Sequence, residues 1–284
     1  MPAAVHITEY TDPACPFAFS AEPHKRRLEW LYGDQLSFDV RMVGLAATRE
    51  DYEKKGLTPE MLAKGQEQLA AKFGMPIDTT PREAVAATLP ACRAVVAVRT
   101  HADEAAAERV LRELRVMQMS NTGLLDDPEA IAAAAERAGV ARGDLADWLE
   151  APSTQEALDA DLEAARHPTD AALALKGKLA EWEGGWRYTC PSYELREGTD
   201  RLSVPGMQSS LTYEVAVANL SPGLTRREEP TDVAEVLAWA PFALATQEVA
   251  EVMGISRDDA AEALAATGAQ RQDVGTDAYW TAAA

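Results

Sequence analysis

The chain has 284 residues, 47% of them hydrophobic and 26% charged, with a formal net charge of −19. That balance fits one large globular domain with a small appendage, and the acidity disfavours nucleic-acid backbones and anionic lipid. Three scattered cysteines exclude a disulfide framework, and no run approaches the roughly 18 apolar residues of a membrane span.

Val5–Thr11 is β-branched and aromatic and reads as a strand, ended by Asp12-Pro13. The start, MPAAVHITEY, lacks the basic and apolar regions of a signal peptide, so a reducing cytoplasm is the expected location. Pro16 to about Tyr32 predicts a helix stopped at Gly33-Asp34. Leu36 to Val43 alternates, with Leu36, Phe38, Val40 and Met42 on one face, and predicts a second strand. From Thr58 to about Glu183 the pattern is helical. Pro59 and Pro81 each suit a first helical turn, and Leu89–Leu114 reads as one long amphipathic helix. Acids and Pro128 open the next helix, and Gly139 closes it. A hairpin follows, Ser192–Leu195 and Arg201–Val204 around Glu197-Gly198-Thr199-Asp200, and then a helix over Ser209–Leu220. Ser221–Pro230 reads as a linker. Beyond it, helices over Thr231–Ala240, Thr246–Met253 and Arg257–Thr267, with a hairpin in AQRQDVGTDAYWT, suggest a winged-helix-like module over residues 231–284.

Cys15 stands where the first strand gives way to the first helix. A thiol there faces unpaired backbone N–H groups and the positive end of the helix dipole, which favour thiolate over thiol. Pro16 fits the first turn without removing a needed hydrogen bond. The plainer alternative is a buried cysteine packing as a small hydrophobe.

Asp12, Cys15, Pro16 and Phe17 resemble the D-x-x-C-P-W junction of the DsbA family of thioredoxin-fold proteins, in its cytosolic FrnE-like and 2-hydroxychromene-2-carboxylate-isomerase-like branch. AKFGMP near Lys72, DDPEAIAAAAERAG near Asp126 and VPGMQSSLTYEVAVANL extend the resemblance from Val5 to about Leu220. It implies an α/β thioredoxin fold, residues 1–57 and 184–222, interrupted by a large helical insertion over 58–183. It also implies a cis proline facing the thiol. Pro191 in YTCPSYEL matches by its place before the hairpin, with Pro205 as the rival. Thr189 and the backbone of Cys190 would then border the incoming partner. An ordinary proline opening a strand is the alternative.

Two departures follow. Ala18 stands where the family has its resolving cysteine, so Cys15 cannot complete a dithiol cycle within its motif. Cys190 directly precedes the proposed cis proline. It is a surrogate resolving thiol, a partner of Cys15 for a soft metal, or a small residue filling a groove. No pair among His6, His24, His101 and His167 has metal-ligand spacing, and no metal or tightly bound cofactor is expected. Cys92, in an apolar helix, reads as core, and Asp12 as a turn cap.

The expected activity is thiol–disulfide exchange by one cysteine with a low-molecular-weight thiol as cosubstrate, acting on a small thiol or protein disulfide. The alternatives are a non-catalytic adaptor or chaperone-like binder, and a thiol-dependent isomerase or transferase on a small electrophile. Between Ala245 and Ala284, Arg257 and Arg271 face seven acids, which argues against nucleic acid and for a protein partner or homodimer contact.

Overall fold

A computed structural model describes residues 3–283; Met1 and Pro2, at the start of the N-terminus expected to lack a leader, and Ala284 lie outside it. The chain opens β1 (Val5–Thr11), α1 (Pro16–Ser20), α2 (Glu22–Tyr32), β2 (Leu36–Met42). One helix was expected over Pro16–Tyr32. The observed pair is separated at Ala21, whose carbonyl still bonds His24 N, and Pro23 falls in the first turn of α2.

α3 (Arg49–Glu53) precedes the insertion, which carries α4 (Pro59–Phe73), α5 (Leu89–His101), α6 (Glu104–Ser120), α7 (Pro128–Arg137), α8 (Arg142–Glu150), α9 (Pro152–Arg166) and α10 (Asp170–Leu173). Two expectations are corrected here. The single long helix over Leu89–Leu114 is two, because Asp103 caps α6 by accepting from Ala106 N at 2.7 Å. Pro81 lies in irregular chain between α4 and α5. Val95, Val98, Leu111, Leu114, Leu125 and Leu158 form one core that also takes Val40 and Met42 of β2, so the helices cover one face of the sheet.

Next come β3 (Ala180–Trp182) and β4 (Gly185–Arg187), a small antiparallel pair in a stretch where no strands were expected. β5 (Ser192–Glu197), β6 (Asp200–Val204) and α11 (Ser210–Leu220) follow. The main sheet has the order β2-β1-β5-β6, with β1 and β2 parallel and the other neighbours antiparallel. Tyr10 pairs with Ser192. Continuing that register brings Cys190 level with Asp12, at the edge of the first strand-to-helix turn.

The C-terminal region runs α12 (Val233–Trp239), β7 (Leu244–Ala245), α13 (Thr246–Met253), α14 (Arg257–Ala266), β8 (Gln270–Val274), β9 (Asp277–Thr281), with sheet order β7-β9-β8. Its Val236, Val249, Leu264 and Trp280 share a core with Leu28, Trp30 and Leu31 of α2 and Tyr213 and Val217 of α11. The stretch Ser221–Pro230 is not a free spacer. Arg227 N donates to Leu31 O at 2.7 Å, Trp30 Nε1 donates to Glu228 O at 3.0 Å, and the Arg227 guanidinium lies 3.5 Å from the Trp30 ring centroid. No helix among the described residues is long and apolar enough to cross a membrane.

A buried charge cluster joins four elements. Arg115 of α6 reaches Glu22 of α2 at 2.6 Å and Glu9 of β1 at 2.8 Å, and also bonds Thr11. Arg112 reaches Glu22 and, through both terminal nitrogens, Glu248 of α13 at 2.9 and 2.6 Å. Lys25 adds Glu108 at 2.6 Å and Glu9 at 3.8 Å.

Candidate active site

The turn after β1 is built on Asp12. Its main-chain oxygen accepts from Cys15 N at 3.1 Å, and Oδ1 accepts from Ala14 N at 2.9 Å. Oδ2 accepts from Leu45 N and Thr88 Oγ1, both at 2.9 Å, and from Cys92 Sγ at 3.4 Å. A turn cap was expected, and the carboxyl is that and more. It ties the loop after β1 to the loop after β2 and to the start of α5. Burial pushes the Asp12 carboxyl above the usual carboxylate range despite these bonds. Cys92, expected as plain core, is buried as expected and also serves this carboxyl. Burial and the neighbouring Asp12 push its thiol well up, which leaves it inert.

Cys15 is the N-cap residue of α1, with Pro16 in the first turn. It is 6% exposed, and Cys190 is 8% exposed. The two share one apolar cluster with Ala18, Val43 and Ala165. Cys15 Sγ donates to the Cys190 carbonyl oxygen at 3.2 Å. The neighbouring Cys190 thiol is the largest influence on Cys15 and favours its thiolate. Burial opposes, and the N–H groups of Ala18 and Phe17 add to the lowering. The result is a Cys15 thiol below its ordinary range. Burial, and then Cys15 itself, push Cys190 well up.

The Cys190–Pro191 peptide bond is cis; Pro205, the rival, is trans. The loop is pinned on both sides. Thr189 Oγ1 donates to Lys178 O at 2.8 Å, and Ser192 Oγ donates to Thr189 O at 2.7 Å and accepts from Gly206 N at 3.0 Å. Tyr10 stacks on Tyr188 at 4.0 Å between centroids, and Tyr188 OH donates to Glu194 at 2.5 Å.

Cys15 and Cys190 open into a groove of about 400 Å³ with Phe17, Leu45, Thr189, Arg187 and Met207. Among the described residues, Arg187 is the only charged side chain lining it. Phe17, 47% exposed, and Leu45 also form the wall of a larger cleft of about 570 Å³, which runs toward α4. That cleft is mainly apolar. Among the described residues, Lys72 and Arg82 are the only charged side chains in its lining, which also includes Tyr52. Sequence reasoning missed Leu45, Arg187, Met207 and Thr88. Leu45, Met207 and Thr88 come from loops or a helix start, and Arg187 from the three-residue β4, none with a chemical signature in its sequence. His6 bonds Ser37 at 3.0 Å and His24 lies 3.5 Å from Glu251; neither lines the groove. Among the described residues, no group of three or more His, Cys, Asp or Glu side chains converges as a metal site, so a metal at Cys15 and Cys190 would have two protein ligands.

This arrangement is that of a thioredoxin-fold thiol site. The DSBA-like thioredoxin domain family matches residues 6–168, more than half of the chain, and the chain belongs to that family. Solved structures agree on the fold. A candidate protein disulfide isomerase from Nitrosomonas europaea superposes with a TM-score of 0.57 at 16% identity, covering 77% of this chain and 96% of that one. The cytosolic disulfide reductase DsbM from Pseudomonas aeruginosa gives 0.52 at 14% identity, covering 73% of this chain and 91% of its own. A candidate DsbA oxidoreductase from Streptomyces coelicolor gives 0.52 at 15%, with 80% and 94% covered. No curated protein matches the sequence significantly.

Proposed function

We propose that this protein is a cytoplasmic thiol–disulfide oxidoreductase in which Cys15 is the nucleophile and a low-molecular-weight thiol is the cosubstrate. The observation that carries this reading is the single motif thiol, favoured as thiolate, at the mouth of a groove sized for a small thiol. The Cys15 thiolate attacks one sulfur of a disulfide, the S–S bond breaks, and the second sulfur leaves as a thiolate. A mixed disulfide on Cys15 results. A small thiol then attacks it, releasing Cys15 and carrying the bound group away as a new disulfide. Cys190 and Thr189, the former held by the cis bond to Pro191, border the path of the partner sulfur, and Arg187 lines the same groove as a cation for the departing thiolate. The relative DsbM has also been solved with GSH, which supports the choice of cosubstrate.

The larger cleft favours a second reading, a thiol-dependent isomerase or transferase. Its apolar walls with two cations suit a small apolar anion beside Cys15. For the C-terminal region, Asp258 and Asp259 open α14 and support a protein contact, a second copy included, rather than nucleic acid.

The test is reduction of a dye-labelled disulfide at increasing glutathione. The initial rate is expected to rise with glutathione and saturate. A rate that stays at the uncatalysed background at every glutathione concentration would remove the oxidoreductase reading in favour of a binding protein.

A further inference from the structure

Resting on the reading of Cys15 as the reactive thiol, we propose that Cys190 is the resolving thiol of this site and closes a Cys15–Cys190 disulfide across the groove. The motif position that would hold a resolving thiol is Ala18, and Ala18 packs in the same cluster as both cysteines. The space beside Cys15 is supplied with a second sulfur by the loop leading into β5 rather than by α1. The register of β1 with β5 places it there, and Cys15 Sγ already lies 3.2 Å from the Cys190 carbonyl oxygen. Both residues line one groove, so a group bound to Cys15 is within the space that Cys190 faces. Cys92 is not an alternative. Its sulfur is held by Asp12 behind the turn and does not line the groove.

The order of events follows from charge. With Cys15 as thiolate, Cys190 is held protonated by burial and by that adjacent charge. Cys15 attacks a low-molecular-weight disulfide, RSSR; the S–S bond breaks, RS⁻ leaves, and Cys15–S–SR forms. The Cys15 charge beside Cys190 is then gone, while burial and Asp12 still oppose ionisation of the Cys190 thiol. Arg187, which favours the Cys190 thiolate, remains. Cys190 gives its proton to solvent in the groove and attacks Cys15 Sγ, expelling the second RS⁻. Two protein thiols are oxidised to one disulfide, and RSSR is reduced to two RSH. Two small thiols reverse both steps. A site with one motif cysteine thus cycles as a dithiol.

The experiment treats reduced full-length protein with excess oxidised glutathione, quenches with acid, and reads intact mass and mapped peptides. Wild type is expected to lose two hydrogens and yield a linked Cys15–Cys190 peptide without adduct. Cys190→Ala is expected to hold one glutathionyl group on Cys15. A wild-type protein that keeps glutathione on Cys15, with Cys190 still alkylatable, overturns the resolving role and leaves the function of Cys15 intact. Neither adduct nor disulfide at Cys15 overturns both. If Cys190→Ala fails to fold, the wild-type linked peptide alone decides.

Discussion

Cys15→Ser is expected to abolish thiol exchange while leaving the fold as stable as before, or slightly more so. A serine hydroxyl neither ionises in the working range nor attacks a disulfide. The loss should be on the order of a thousandfold or more, the scale seen when an enzyme's nucleophile is removed. Stability should hold for a separate reason. Cys15 is the N-cap of α1 and makes no capping side-chain hydrogen bond. Serine is among the preferred N-cap residues, and gains of about 0.5–1 kcal/mol are ordinary there. Turnover and thermal unfolding of the variant therefore separate chemistry from folding. Retained exchange in Cys15→Ser would move the reactive thiol elsewhere.

Arg115→Met should have the largest effect on stability. The substitution keeps most of the side-chain volume but leaves buried Glu9 with only Lys25 at 3.8 Å, takes one of the arginines from buried Glu22, and removes the partner of the Thr11 hydroxyl. Breaking one partner from a buried charge cluster costs about 3–5 kcal/mol. The dependence on pH identifies the cause. For Glu22, burial acts to raise the carboxyl, but Arg112, Arg115 and Arg26 outweigh it and hold it well below its ordinary 4.5. Glu9 is likewise lowered, burial being outweighed by Arg115 and Lys25. Groups whose folded values are depressed stabilise above the unfolded value and lose that contribution as pH falls through the folded one. Wild type should therefore hold its stability down to about pH 4.5 and lose it progressively below. In Arg115→Met, the deficit should be full at neutral pH and shrink in acid, where protonation neutralises Glu9, which has lost its nearer partner. Urea unfolding at neutral and acidic pH checks both; a deficit independent of pH would point to lost packing instead.

The parts of the site legible in the sequence are those that a single local junction defines. Cys15-Pro16 between a β-branched run and an amphipathic helix needs no distant partner to be recognised. The same holds for the helix that opens at Arg257, found as α14, and for the β5–β6 hairpin around Gly198. Elements too short for a period were missed: β7 has two residues, and β3 and β4 have three each. The break between α5 and α6 was overlooked because apolar periodicity continues across it, while the Asp103 cap decides. The buried cluster is illegible for a deeper reason. Arg112 and Arg115 look like solvent-facing cations on an amphipathic helix until Glu9, Glu22 and Glu248 arrive from three other elements. That cluster, together with the shared apolar core, also explains why the C-terminal region sits on α2 and does not hang from its linker.

The loop at Cys190 and the first N–H groups of α1 favour the thiolate form of Cys15 against burial and Asp12. The most direct test of this preference is the rate of alkylation of Cys15 by iodoacetamide as a function of pH, followed at the Cys15 peptide so that Cys92 and Cys190 do not contribute. The expected midpoint lies below the ordinary thiol value of 9.0. A midpoint at or above that value would contradict the preference for thiolate.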